Sequence, residues 1–139
     1  MTKKIFLAAL IFIFALPAFG AVQDFGRFTV EIPVGWTATQ DGDTVTVIKN
    51  NKTASVSINI APSDGVQIRT LAETFMKELG GKNFHFDDEA YMFDITNPNG
   101  VPSNAFISGD DKTYVLIVIT GKENLSDEIN KIVESVTEK

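Results

Sequence analysis

The sequence predicts an α+β fold in which an antiparallel β-sheet is flanked by two helices. After residue 20, most of the chain consists of short runs in which apolar and polar residues alternate, the period of a half-buried strand. Two longer runs instead carry apolar residues at helical spacing. The connections are short, and helices do not follow strands one by one, which favours an antiparallel sheet.

The first twenty residues have the three-part layout of a secretory signal peptide. Lys3 and Lys4 form a basic region, Ile5–Leu16 is apolar, and the small residues Ala18 and Gly20 precede the expected cleavage site. The apolar run gives roughly 18 Å of helix, against the ~30 Å of a bilayer core. We expect an exported periplasmic or extracellular protein cleaved after Gly20. Cleavage after Ala18 and an uncleaved anchor are the alternatives.

The 119 residues that follow Gly20 are interpreted as one domain. A domain of this size buries roughly two thirds of its unfolded surface, which is enough for a core. The sequence has no cysteine, so disulfides and acylation of an N-terminal cysteine are excluded. Loss of Lys3 and Lys4 with the leader changes the formal net charge from −6 to −8. Nucleic acids and anionic lipids are therefore poor partners.

Four strands are predicted before the first helix. The segment RFTVEI, from Arg27, alternates apolar and polar residues. In the following IPVGWTATQ, Pro33 and Gly35 predict a tight corner and then a second strand. Asp41-Gly42 predicts a hairpin into DTVTVIKN, and TASVSINIAP is the fourth strand. We expect these four strands to form a meander.

Each predicted helix has a single apolar stripe. The first lies within Val66–Leu79, and Gly80-Gly81 ends it. The second covers Leu125–Val136. We expect both stripes to pack against the sheet rather than line a cofactor or peptide groove. The stripes are Ile68, Leu71, Ala72, Phe75, Met76 and Leu79, and Leu125, Ile129, Ile132, Val133 and Val136.

Four more strands are predicted between the helices, which gives the order ββββ-α-ββββ-α. KNFHFDDEAYMFDIT forms a hairpin around Asp87–Glu89, and VPSNAFISG and TYVLIVIT follow. The apolar run Val115–Ile119 predicts a central strand covered on both faces, and hence one helix on each face. Both helices on one face is the alternative. It is favoured by the polar residues of the outer strands, which would face water: Thr44, Thr46, Ser55, Ser57 and Asn59.

No catalytic residue is predicted. The sequence has one histidine, His85, and neither a cysteine nor a G-x-S-x-G elbow, so a nucleophilic triad lacks its parts. His85 lies between Phe84 and Phe86 and is expected on the opposite face of its strand. Asp94 is the acid set deepest in an apolar run, and alternation turns it away from its apolar neighbours.

No metal or cofactor is predicted either. Structural zinc requires four cysteine or histidine ligands, which excludes it here. Calcium is left open, because the turn acids Asp87, Asp88 and Glu89 could meet Asp110 and Asp111 if both turns lie at one end of the sheet. Solvated turn acids are the preferred interpretation. Gly80-Gly81 follows a helix instead of preceding one, so it does not form a phosphate-binding loop.

Several segments resemble a known family. FTVEIPVGWTATQ, VTVIKN, ASVSINIAP and LAETFMKEL resemble the N-terminal half of the PsbP-like superfamily, and YVLIVIT with NLSDEINKIVESV is similar to the way such domains end. The superfamily includes extrinsic photosystem proteins, their bacterial relatives and small envelope proteins of the DcrB kind. The resemblance implies an antiparallel sheet between helices and a binding or assembly role without reaction chemistry. It supplies no catalytic or metal-binding residues for this chain.

Two functional hypotheses follow. The first is a non-enzymatic, exported binding or assembly module of the cell envelope that docks on a protein or membrane complex, with an exposed apolar patch expected beside Trp36. The second is a small periplasmic hydrolase or ligand-binding protein that uses Asp94, His85 and the turn acids. The second hypothesis predicts a pocket that gathers at least two of these groups.

Overall fold

The computed structural model describes residues 20–96, 100–121 and 126–139. Apart from Gly20, the predicted leader lies outside these ranges. The helices are α1 (Ile68–Glu78) and α2 (Ser126–Ser135). The strands are β1 (Ala21–Asp24), β2 (Phe28–Ile32), β3 (Trp36–Asp41), β4 (Thr44–Lys49), β5 (Ala54–Pro62), β6 (Lys82–Asp87), β7 (Ala90–Thr96), β8 (Pro102–Gly109), β9 (Thr113–Gly121) and β10 (Thr137–Glu138).

The predicted α+β class is confirmed. All eight predicted strands are present, as β2 to β9, together with both predicted helices. Seven of the strands form one antiparallel sheet in the order β3-β4-β5-β9-β8-β7-β6. The strand that carries Val115–Ile119 is the fourth of these seven, so its predicted central position is confirmed.

The predicted four-strand meander is wrong at its first strand. After β2 the chain turns a tight corner, where the amide of Trp36 donates to the carbonyl of Pro33 at 3.1 Å and Gly35 has φ +91°. This corner takes β2 out of the large sheet. It pairs instead with β1 and β10 in a small antiparallel sheet. The sequence analysis missed β1 and β10, because runs of four and two residues are too short for a period to be recognised.

The main core lies between one face of the large sheet, the strand β2 and the helix α2. Register aligns Val45, Ile58 and Ile117 across β4, β5 and β9 on this face. Asp127 and Glu128 occupy the first turn of α2, where the helix dipole favours acids. The buried residues that complete this core include Phe28, Val30 and Ile32 of β2 and Ile129 and Ile132 of α2.

The first helix packs against the opposite face of the sheet, over β7 and β8. Phe93 is buried on that face, and the ring of Phe75 lies 5.5 Å from that of Tyr114. Gly81 follows the helix where a Cβ would collide with the side chains of Phe93 and Met76. The two helices therefore pack against opposite faces and over different halves of the sheet.

The polar residues of the outer strands lie as alternation predicts. Thr44, Thr46, Ser55, Ser57 and Asn59 are partly exposed on the face away from the main core. None of the helices in the described ranges has the length and apolar character needed to cross a membrane.

Candidate functional site

His85 and Asp94 lie on one face of the sheet, and both are joined to Asn83. Register places His85 opposite Met92 and Asp94 opposite Asn104, with a bulge in β6 before His85. The Asp94 carboxylate accepts hydrogen bonds of 2.8 Å from the amides of Asn83 and Asn104. His85 is exposed, and its Nδ1 lies 2.7 Å from the carbonyl of Asn83.

This arrangement holds the Asp94 carboxylate in place by hydrogen bonds from two side-chain amides. Phe93 is buried on the opposite face, so the expectation that Asp94 points away from its apolar neighbours is confirmed. Neither of the two grooves described below is lined by His85 or Asp94. The hydrolase hypothesis asks for a pocket that gathers at least two of Asp94, His85 and the turn acids. The larger groove gathers the turn acids Asp88 and Glu89, without His85 or Asp94.

The two acidic turns lie at the same end of the sheet, because β7 starts where β8 ends. Their carboxylates do not form a metal site. Asp110 is used within its own turn, since its Oδ1 accepts the backbone amides of Lys112 and Thr113 at 2.8 and 3.0 Å. These bonds hold the pKa of Asp110 below its usual range. Across the described ranges, no group of three or more acids or histidines could hold a metal ion.

Trp36 is buried rather than the centre of an exposed apolar patch. Its side chain is 6% exposed, and its Nε1 donates to Oε2 of Glu128 at 2.5 Å. Lys49 lies 3.7 Å from the other carboxylate oxygen. Val34, which is 60% exposed, borders a groove of about 530 Å³ between the end of β2 and α2. The patch expected beside Trp36 is thus reduced to one aliphatic side chain.

A larger groove of about 710 Å³ runs between the C-terminal end of α2 with β10 and the strands β7 to β9. We call it the acidic groove. Its floor is apolar. The floor is left uncovered because α2 covers the β4–β5 half of this sheet face and stops short of β7 and β8. The residues that form the floor and the helical wall include Ile60, Ala90, Val115, Ile117, Val133 and Val136.

Within the part of the chain that the structure describes, all charged residues that line the acidic groove are acids. Asp88 and Glu89 of the β6–β7 turn lie on one rim, and Glu134 and Glu138 lie on the other. In residues 20–96, 100–121 and 126–139, none of these four carboxylates has a lysine or arginine within ion-pair distance. The groove therefore combines a hydrophobic floor with negative potential at both rims.

Sequence reasoning found the parts of this groove but not the groove itself. Val133 and Val136 were assigned to a helix stripe and the Asp88-Glu89 pair to a solvated turn. Glu138 belongs to a strand that was not predicted. The pairing of β10 with β2 holds Glu138 beside these elements.

The two sheets and the two helices together define the class of the domain, an α+β module with a PsbP-like fold. The resemblance read from the sequence is thus confirmed at the level of the fold. The similarity to the solution structure of cyanobacterial PsbP (CyanoP) from Synechocystis sp. PCC 6803 has a TM-score of 0.58 at 13% identity, and it covers 90% of this chain and 95% of that one.

A second solved structure, of a protein from Bacteroides thetaiotaomicron VPI-5482, matches with a TM-score of 0.56 at 13% identity. The match covers 81% of this chain but only 45% of the Bacteroides protein. No protein-family model matches the sequence, and no curated protein does. Both structural similarities concern the fold alone.

Proposed function

We propose that this chain is an exported, non-enzymatic docking module of the cell envelope, and that the acidic groove holds a segment of a protein partner. The groove is the observation that carries the proposal. Its floor provides apolar surface that a partner's side chains would bury. Among the described residues, its rims carry four carboxylates and no cation. The complementary occupant is a peptide segment in which apolar side chains alternate with lysine or arginine.

Two further observations support this proposal. The PsbP-like fold agrees with a binding or assembly role, which the resemblance implies. The two side-chain amides that donate hydrogen bonds to Asp94 occupy its carboxylate, and neither described groove is lined by Asp94 or His85. Both observations favour docking over the hydrolase alternative. Export rests on the N-terminal sequence, with cleavage after Gly20. N-terminal sequencing of the protein recovered from the periplasm or the medium is expected to start at Ala21.

The docking site is tested by crosslinking in cells that export the protein. A photoreactive phenylalanine analogue replaces Ser108, on the groove side of β8, or Thr39, which is exposed on the opposite face of β3. We expect one partner to be crosslinked from position 108 and not from position 39. A crosslink of equal strength from both positions, or from neither, overturns the proposal.

Purified components then test whether the groove binds this partner. Ser108→Phe fills the groove, whereas Thr39→Phe adds the same side chain on the other side of the sheet. The proposal expects calorimetry to show weaker binding for Ser108→Phe alone. Added salt should weaken binding by the native protein, because the rim charges are exposed and screened.

A further inference from the structure

Three aromatic side chains form a cluster beside the acidic groove, on the other face of the β6–β7 hairpin. The ring of Tyr91 lies 5.6 Å from that of Phe84 and 4.8 Å from that of Phe86. Phe86 is 59% exposed, one of four exposed large hydrophobic side chains in the described ranges. We call Phe84, Phe86 and Tyr91 the aromatic ledge.

Acidic residues lead directly from this ledge to the groove. Asp87 follows Phe86, and Asp88 and Glu89 form the turn that lines the groove. All three are exposed, and in the described part of the chain no lysine or arginine lies within ion-pair distance of them. An aromatic face is itself electron-rich, so rings and carboxylates favour the same kind of ligand, a cation.

From this juxtaposition we infer that the aromatic ledge is a second contact for the same partner segment, and that it holds a lysine or arginine side chain against the face of Phe86. The inference rests on the proposed function, because it assigns the ledge to the segment that occupies the groove. The turn between the two surfaces is only two residues long. An extended segment of about four residues spans roughly 13 Å, and the proposed segment crosses this turn from the groove to the ledge.

A cation–π contact differs from simple apolar burial in its response to substitution. Phe86→Leu keeps an apolar side chain and removes the π face, whereas Phe86→Trp keeps the π face and strengthens it. Both variants are expected to fold, because the side chain is mostly exposed. Circular dichroism verifies the fold. Val34→Ala, at an exposed apolar position on the other groove, is the matched control.

The probe is a synthetic peptide in which leucine alternates with lysine. Calorimetry is expected to show affinity about two- to five-fold weaker for Phe86→Leu, unchanged or tighter binding for Phe86→Trp, and no change for Val34→Ala. The lysine side-chain CH₂ protons nearest the amine should shift upfield in NMR spectra of the complex, through the ring current of Phe86. This shift should disappear with Phe86→Leu.

The outcomes separate the inference from the function on which it rests. If Ser108→Phe abolishes binding while Phe86→Leu and Phe86→Trp bind like the native protein, the ledge inference is wrong and the docking proposal stands. If Ser108→Phe has no effect on binding, the docking proposal is wrong, and the ledge inference that rests on it is wrong too. A peptide with norleucine in place of lysine that binds equally well overturns the cation assignment for both surfaces.

Discussion

The indole Nε1 of Trp36 donates a hydrogen bond of 2.5 Å to Oε2 of Glu128, which joins β3 to the first turn of α2. The indole is 6% exposed, so little water can replace this acceptor. Lys49 lies near the same carboxylate and offsets its charge. Because α2 forms one wall of the acidic groove, this bond helps to fix the geometry of the proposed docking site.

Substitution of Glu128 by alanine is expected to reduce the free energy of unfolding by about 1–3 kcal/mol, because the buried indole N–H loses its acceptor. Urea denaturation followed by the fluorescence of Trp36, the single tryptophan, measures this loss. Glu128→Gln keeps an acceptor oxygen and should recover most of the stability.

The control for this experiment is Glu73→Ala. Glu73 lies 3.8 Å from Arg69 on the surface of α1, an exposed pair at helical spacing. Loss of such a pair changes stability by about 0.5 kcal/mol or less. Equal losses for the Glu128 and Glu73 variants would show that the bond to Trp36 contributes no more than a surface contact.

The sequence predicted the two ends of this bond separately. Trp36 directly follows the predicted corner at Pro33 and Gly35, and Glu128 lies within the predicted helix Leu125–Val136. The two residues are 92 positions apart, and no periodicity connects them. Local patterns therefore predicted eight strands and two helices, because each element carries its own alternation or stripe.

The pairing of β2 with β10 could not be predicted in the same way. A two-residue strand has no period, and the predicted meander placed β2 beside β3 instead of β10. The acidic groove depends on this pairing, since it brings Glu138 and Thr137 to face the β6–β7 turn. The turn acids are exposed, as predicted, but their position opposite the C-terminal strand could not be predicted from the sequence.

Truncation of Ile132 tests the interpretation of the α2 stripe as core. Its side chain is fully buried between α2 and the sheet. Ile132→Ala is expected to cost about 2–5 kcal/mol, through lost burial and the cavity left behind. Leu79→Ala, at a residue of the α1 stripe that is 41% exposed, should cost much less in the same denaturation experiment. Similar losses for the two would contradict this assignment.

Gly81 is expected to tolerate no side chain. Its Cβ would meet the ring of Phe93 and the side chain of Met76, which pack between α1 and β7. We expect Gly81→Ala to lower the free energy of unfolding by about 1–3 kcal/mol, because this core cannot expand without strain. Thermal unfolding measures the loss. Partial recovery in the double variant Gly81→Ala with Phe93→Leu would show that the collision is the cause, and unchanged stability of the single variant would refute it.

Acidification is expected to release the C-terminal strand. Lys139 donates to Asp24 at 2.6 Å, and its backbone amide donates to the carbonyl of Arg27 at 2.9 Å. The bond from Lys139, and then that from the amide of Gly26, hold the pKa of Asp24 below its ordinary value of 3.8. A carboxyl group whose pKa is lowered in the folded state stabilises that state at pH values above its ordinary pKa. This contribution is lost as the pH falls through the lowered pKa.

The chemical shifts of the Glu138 and Lys139 amides, followed by NMR from about pH 5 to about pH 2, should therefore report detachment of β10 at the acid end. Asp24→Asn removes the titrating group while keeping an oxygen that can accept from Gly26. It should make this transition disappear, with β10 weakly held at every pH. Asp64→Asn, at an exposed loop position, is the matched control and should leave the transition unchanged. A transition that persists in Asp24→Asn would assign the pH response to another group and separate it from the bond between the two ends of the domain.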